Sequence, residues 1–247
     1  MKKIINTSQT PYDAISQKYT DLVMTDPAKR FVQYPSAIQL LGDVSKKTIL
    51  DVGCGSGTFD RELARRGAII TGYDISSEQI ANAEKLELAN PLGINYAISN
   101  PQEFKASKKF DAAISVLVLH YALDIENLAQ FFLSTFQVLK DDGKFVCILT
   151  NPGFKRLGEV LYNRRFTKLP NDKMLVEFFD QNQALSLSAE YSSFSFADYE
   201  KAATDGGFKK FGWINLKVSE IGLRTMGQDY WKGFEEDCPY MGFIAYK

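Results

Sequence analysis

The residues best suited to chemistry are concentrated in one stretch, Ile49-Leu50-Asp51-Val52-Gly53-Cys54-Gly55-Ser56-Gly57-Thr58. An aliphatic run ends in glycines at alternate positions, and a helix-like segment, Asp60 to Arg66, follows at once. That order predicts a strand, a tight turn and a helix start. Glycine tolerates positive φ and lets a ligand come close to the backbone. The amides of a turn that leads into a helix N-terminus point outward as donors. Seventeen positions beyond Gly57, the apolar run Ala68 to Tyr73 ends in Asp74. An acid at the end of the next strand can accept hydrogen bonds from both hydroxyls of a ribose. Together these features point to a cofactor containing a nucleoside; the plainer alternative is a glycine-rich turn that binds nothing.

Spacing narrows the cofactor. A dinucleotide site wants G-x-G-x-x-G or A, but the sixth position from Gly53 is Thr58, and the third glycine, Gly57, falls one place early. An acid two residues before the first glycine (Asp51), with glycines at alternate positions, resembles motif I of the class I S-adenosylmethionine (SAM) methyltransferases. The resemblance implies SAM as cofactor and S-adenosylhomocysteine as product.

Composition limits the alternatives. At 247 residues the chain is long enough for one large α/β domain with a buried core. Lys plus Arg total 29 against 30 for Asp plus Glu, a net charge of −1. A nucleic-acid enzyme usually shows a basic surplus or stripe, and none is present. Cys54, Cys147 and Cys238 are far apart, with neither zinc spacing nor a disulfide framework, which points to a reducing cytoplasm. The basic start, Met1 to Thr7, is not followed by a long apolar run, so no signal peptide or membrane span is expected.

The elements that would position the site alternate. Residues 8–45 read as amphipathic helix, with Tyr12, Ile15, Tyr19, Leu22 and Val23 at spacings of three and four and a second helix from Pro35 to Leu41. They either seal one edge of a sheet or form a lid over the site. Arg30 is a candidate for pairing with a carboxylate, or else a solvated charge. A helix over Ile80–Leu88, capped by Ser77, precedes a short strand Ile94–Ile98 and Ser99-Asn100-Pro101. Phe110 to Tyr121 reads as a buried central strand running into a loop. A helix from Glu126 to Leu139 and a strand Lys144–Thr150 follow, so the pattern predicts a parallel doubly wound sheet. Residues 151–196 break the rhythm: Met174–Phe179 and Leu185–Tyr191 read as a hairpin, an aromatic cap insertion or an edge extension. A helix Phe196–Gly206, a strand Gly212–Val218, a loop-helix segment and a last strand Met241–Tyr246 complete the chain.

The resemblance supplies expectations for these elements. It implies a Rossmann-like seven-stranded sheet, mostly parallel with an antiparallel last strand, carrying an N-terminal helical lid (8–45) and a small cap insertion (151–196) in a single domain over 1–247. Several stretches, among them Leu117-Val118-Leu119-His120-Tyr121-Ala122 and Tyr230-Trp231, are similar to toxoflavin-synthase-type small-molecule N-methyltransferases, although His120 stands where that group has Asn. By that likeness Tyr19 and Arg30 would touch the methionine end, and Gly53, Cys54 and Gly55, with Gly57, would admit the methionyl and ribose portions. Asp74 would hold the ribose, Ile75 and Pro101 would flank the adenine, and Asn100, in place of the usual Asp, would accept from its amino group. Val116 and His120 would face the methyl group, His120 either positioning the substrate or taking its proton. The expected reaction is methyl transfer to a nitrogen or oxygen of a small planar molecule, by a monomer or homodimer, with no metal, nucleic acid or membrane. The alternatives are a protein or nucleic-acid methyltransferase and a non-catalytic SAM-binding protein.

Overall fold

The computed structural model describes residues 25–180 and 182–247. Tyr12, Asp13, Tyr19 and the rest of 8–24, the first part of the expected lid, lie outside the described residues, as does Gln181.

Near the start of the described residues a π-helical turn, Lys29–Gln33, runs directly into α1 (Tyr34–Leu41), with Pro35 at the join. Then come β1 (Thr48–Val52), α2 (Thr58–Arg65), β2 (Ile69–Asp74), α3 (Ser77–Ala89), β3 (Asn95–Ile98) and β4 (Phe110–Val116). A 3₁₀ turn, Leu119–Tyr121, carries the chain into α4 (Ile125–Val138) and β5 (Leu139–Thr150). After the insertion, α5 (Phe196–Asp205), β10 (Lys210–Asn215), α6 (Glu220–Met226) and β11 (Tyr240–Tyr246) close the domain. Side chains fix the helix starts. Ser76, one place before the expected cap, accepts from the Gln79 amide, Asp124 accepts from Asn127, and Ser195 and Asp198 form a reciprocal capping box.

Seven strands form one sheet in the order β10-β11-β5-β4-β1-β2-β3. Every pairing from β5 through β3 is parallel, and β11 runs antiparallel to both of its neighbours. This is the class I methyltransferase arrangement expected from the sequence. Successive strands move outward from β1 in one direction and from β4 in the other, so the order reverses between β1 and β4. Open α/β sheets bind ligands in the crevice at the carboxyl ends of the strands at such a point. The central strands are covered on both faces: Ile49, Leu50, Ala113, Ile114, Val146 and Ile148 are all essentially inaccessible. This is why they read as continuous apolar runs rather than alternating ones.

The region expected to hold one hairpin holds four strands. β6 (Val160–Leu161), β7 (Arg164–Leu169), β8 (Lys173–Phe179) and β9 (Leu185–Ser192) make a second, wholly antiparallel sheet. Its first two turns use residues with positive φ, Tyr162-Asn163 and Asn171-Asp172. Such backbone matches the twist of tight hairpins, and Asn and Asp tolerate it best. The Ser192 hydroxyl donates to the Ala122 carbonyl at 2.7 Å and the Tyr162 hydroxyl to that of Lys232 at 3.1 Å, tying this sheet to the larger one.

Its deepest tie is ionic. Arg164, at the start of β7, pairs with Asp26 at 2.6 Å and donates to the Tyr240 hydroxyl, and both charged side chains are almost fully buried. Burial alone would lower the guanidinium's pKa, but Asp26 and its hydrogen bond raise it, so Arg164 stays charged. Truncating one member of a buried pair strands the other charge, whereas replacing both with apolar groups of similar volume is often neutral. Asp26→Ala is therefore expected to lose about 3–5 kcal/mol in chemical denaturation. The double variant Asp26→Leu/Arg164→Met should recover most of that loss. Equal losses in the two proteins would mean that the pair is not what holds this junction.

Candidate functional site

The carboxyl end of β1 runs into the glycine turn at the reversal point. Gly53, Gly55 and Gly57 all have positive φ. Their roles differ. A Cβ on Gly53 would sit 2.6 Å from Val118, and one on Gly57 would collide with the Tyr96 hydroxyl, so both are held by protein packing. A Cβ on Gly55 would meet only the Gln79 side chain, at 3.8 Å. The turn is pinned to the neighbouring strand, with the Gly53 and Cys54 amides both donating to the Tyr73 carbonyl at 2.9 and 3.0 Å. Asp74 completes the clamp: one carboxylate oxygen accepts from the Gly55 amide and the other from the Ser76 amide, each at 2.9 Å.

In front of this turn lies a cavity of about 230 Å³. Of the residues singled out from the sequence, Gly53, Cys54, Gly55, Asp74, Ile75, Asn100, Pro101 and Val116 all line it. Arg30 does not: it is exposed and lies over the Phe31 ring. Lys29, its neighbour, lines the cavity instead, its Nζ 5.9 Å from the centre of the Tyr34 ring, which in turn stacks on Phe59 at 4.6 Å. Gln79 is a further residue that sequence reasoning missed. It is buried, lines the same cavity, and its amide has no hydrogen-bond partner among the described residues. Its signal was available, since it occupies the first turn of the helix that follows Asp74. Asn100 is placed as expected, but its side-chain oxygen already accepts from the Gln102 and Glu103 amides, both at 3.0 Å.

Electrostatics concentrate at Asp51. It is buried beside Asp60, and burial is the main reason its pKa is pushed up to about 7; Asp74 adds to the rise, while Asp60 and Lys29 oppose it. Burial and then Asp51 push Asp60 well above the usual carboxylate range. Two carboxyls so close in a dry place cannot both ionise at the usual carboxylate pH, so the pair holds a proton up toward neutrality. Asp51 is left poised to ionise near neutrality.

His120 lies elsewhere. It is buried in the 3₁₀ turn between the Tyr121 and Tyr191 rings, 4.4 and 4.6 Å away, and lines a second, smaller cavity of about 40 Å³. Burial, and then the Lys29 charge, lower its pKa to about 3, so it is neutral throughout the physiological range. The second cavity is roofed by β7, β8 and β9 through Phe166, Val176, Phe178 and Leu187. Lys29, Leu117 and Tyr121 line both cavities, which therefore adjoin. Leu117 holds a positive φ of 58° at this junction, a costly state for a branched side chain. Its amide is fixed by the Ile148 carbonyl at 2.8 Å. Among the described residues, no helix is long and apolar enough to cross a membrane.

Comparison with known proteins agrees with this geometry. Residues 50–147 match the family described as Methyltransferase domain. The ubiquinone biosynthesis O-methyltransferase of Rickettsia canadensis is 37% identical over 101 residues, covering 41% of this chain and 42% of the relative, so the chain spans less than half of that relative's length. A SAM-dependent methyltransferase from Mesorhizobium loti shares the fold with a TM-score of 0.63 at 20% identity, covering 91% of this chain and all (100%) of that one. The 1,6-didemethyltoxoflavin N1-methyltransferase of Burkholderia thailandensis, solved with 1,6-didemethyltoxoflavin and S-adenosylhomocysteine bound, shares it with a TM-score of 0.58 at 13% identity. That match covers 96% of this chain and 85% of the other. Residues 50–147 thus match a methyltransferase domain, and the chain has the fold of the class I SAM-dependent methyltransferases.

Proposed function

We propose that the protein transfers a methyl group from SAM, bound in the larger cavity, to a nitrogen or oxygen of a small planar molecule that enters beside it beneath the aromatic cap. The observation that carries this reading is the junction: two cavities, one at the glycine turn and one under the aromatic cap, share a wall at Lys29, Leu117 and Tyr121. When bound, SAM supplies a methyl group made electrophilic by its sulfonium. The chain's own residues then have to hold, align and desolvate.

The lining fits that cofactor. The open face of Gly55 admits a ligand against the backbone, and Asp74 presents a carboxylate to the cavity that suits ribose hydroxyls. Ile75 and Pro101 offer apolar faces for the adenine. Asn100 serves it with amide donors rather than with its committed oxygen. Lys29 replaces Arg30 as the cation for the methionyl carboxylate, and Asp51 suits the ammonium. The aromatic cap over the strand ends and the net charge of −1 favour a small molecule over a nucleic-acid strand or a protein chain.

Isothermal titration with SAM and with S-adenosylhomocysteine should give micromolar-range binding, about −8 kcal/mol. Asp74→Ala should weaken it at least about tenfold, one lost charge-assisted hydrogen bond being worth about 1.5–3 kcal/mol. Binding to neither ligand would sink the reading.

The raised pKa of Asp51 adds a pH dependence. A cationic ligand favours the ionised carboxyl, so binding below pH 7 must first remove a proton. Affinity for SAM is expected to fall by up to about tenfold per unit as the pH drops from about 7, and to be flat above it. Asp51→Asn should bind more weakly at pH 8 and lose the slope. A wild-type affinity that is constant between pH 5.5 and 8 would remove Asp51 from this role.

A further inference from the structure

Behind the glycine turn lie four buried polar atoms that ordinary pairing leaves unexplained. With both acids ionised, Asp51 Oδ1, the two carboxyl oxygens of Asp60 and the Tyr96 hydroxyl have no hydrogen-bond partner among the described residues. Asp60 is wholly inaccessible, and Asp51 is 3% exposed, at the wall of the larger cavity. A glycine makes the space for Asp60: a Cβ on Gly72 would lie 2.8 Å from Asp60 Oδ2 and 2.9 Å from Cys54 Sγ. An acid in the first turn of a helix ordinarily serves that helix by its charge, but the Asp60 oxygens accept from no amide of α2. Arg61, the next residue, is committed to Glu87 at 2.8 Å and to the Asn90 carbonyl. Buried polar groups are nearly always satisfied in folded proteins, and each exception calls for an explanation.

We propose that Asp60 is a positioning residue for the cofactor: it stays protonated and donates that proton to Asp51, which keeps the Asp51 carboxylate ionised and aimed at the ammonium of the methionyl group. One proton then accounts for all four atoms. Asp60 donates to Asp51 with one oxygen and accepts from the Tyr96 hydroxyl, which faces it, with the other. The surroundings decide which acid carries the proton. Asp51 borders the cavity and faces Lys29 of the π-helical turn, which favours its charge, and Asp74 of β2, which opposes it. The Tyr73 phenol and the Cys54 thiol beside it are held neutral by burial. Asp60 is the deeper of the two, and the groups that act on it, Asp51 and the Tyr96 phenol of β3, bring no positive charge. The inference rests on the SAM reading for the identity of the ammonium, whereas the shared proton is a property of the free protein.

The test follows S-adenosylhomocysteine affinity from pH 6 to 8.5 in the full-length wild type, Asp60→Leu and Asp60→Asn. Asp60→Leu removes the donor, so the Asp51 carboxylate is harder to form. The midpoint of the pH dependence should rise by at least about one unit, which a hydrogen bond to an ionised acceptor is enough to cause. Affinity at pH 7 should then be at least about fivefold weaker, with the gap to the wild type narrowing as the pH rises. Asp60→Asn keeps an N–H donor in the same place and should hold the midpoint within about half a unit of the wild type. A second readout needs no ligand: at pH 8 the infrared difference spectrum between wild type and Asp60→Asn should show a protonated carboxyl C=O stretch in the wild type.

The sign of the shift decides the matter. An ionised Asp60 would repel the Asp51 charge, so removing it would lower the midpoint in both variants, and that result overturns the proposal. A loss of affinity that is equal at every pH would mean that Asp60 serves only the packing of the turn, and it overturns the proposal as well. If Asp60→Leu does not fold, Asp60→Asn and the infrared spectrum decide: a midpoint lowered by a unit or more, or no protonated carboxyl at pH 8, refutes the shared proton. A wild type that shows the protonated carboxyl but binds no S-adenosylhomocysteine would count against the SAM reading, and would leave the proton on Asp60 established.

Discussion

Much of this molecule depends on one carboxylate. Asp74 ends β2 and reaches across to the glycine turn, accepting from the Gly55 amide with one oxygen and from the Ser76 amide with the other. Hydrogen bonds to an ionised acceptor are the stronger kind, and these two do more than satisfy donors. They fix the turn after β1 against the loop after β2, at the place where the strand order reverses. The Gly53 and Cys54 amides converge on the Tyr73 carbonyl one residue earlier, so the turn is held from two successive positions of the same strand. α2 starts immediately beyond the turn and α3 immediately beyond Ser76. The directions of both helices, and the outward aim of their first amides, follow from how that carboxylate is placed.

The second sheet solves a different problem. It must close over the strand ends without filling the space beneath. A purely apolar roof would tend to collapse into that space. Here the buried Asp26–Arg164 pair, braced by Tyr240, fixes the roof at a set height, because an ion pair in a dry place tolerates little change of geometry. The arrangement gives little net stability compared with hydrophobic packing, and its return is positional. It keeps β7 and β8 standing off β4 and β5, with Gln33 and His120 exposed to the gap.

The sequence revealed these features unevenly, and each difference has a physical reason. The glycine turn, Asp51, Asp74 and the strand–helix alternation were legible because each is set by local backbone needs and by simple periodicity. The order and direction of the last strands came with the family resemblance rather than from any pattern in residues 210–246. Within the second sheet, β8 and β9 were legible as apolar runs, while β6 and β7 were not. Val160-Leu161 is too short to show a period, and Arg164, a charged residue at a fully buried position, disguises the start of β7. The turn residues Asn163 and Asn171-Asp172 were the missed signal. That Lys29 rather than Arg30 lines the larger cavity was hidden for a comparable reason. A π-helical turn carries an extra residue per turn, which rotates the following side chains away from their expected faces. No propensity in Lys29–Gln33 announces it. The unpaired amide of Gln33 is a product of tertiary packing and has no sequence signature.

The protonation states of the second cavity also constrain the chemistry that the proposed reaction can use. His120 is held near a pKa of about 3 by burial, so it lacks the basicity to take a proton from an amide or hydroxyl group at neutral pH. Tyr191 and Tyr240 are pushed upward by burial and stay protonated, and Asp26 is engaged by Arg164. Among the described residues, none lining the cavity is suited to act as a base. Asp51, the group nearest to neutrality, faces the other cavity. On the proposed reading, then, an acceptor that reacts here must bring its own lone pair, and any proton it loses must leave after the methyl group has made the atom acidic. Alignment and exclusion of water are sufficient for such an atom, since the leaving group is already activated. On that reading the neutrality of His120 is useful in itself, because a protonated imidazolium would repel the approaching sulfonium.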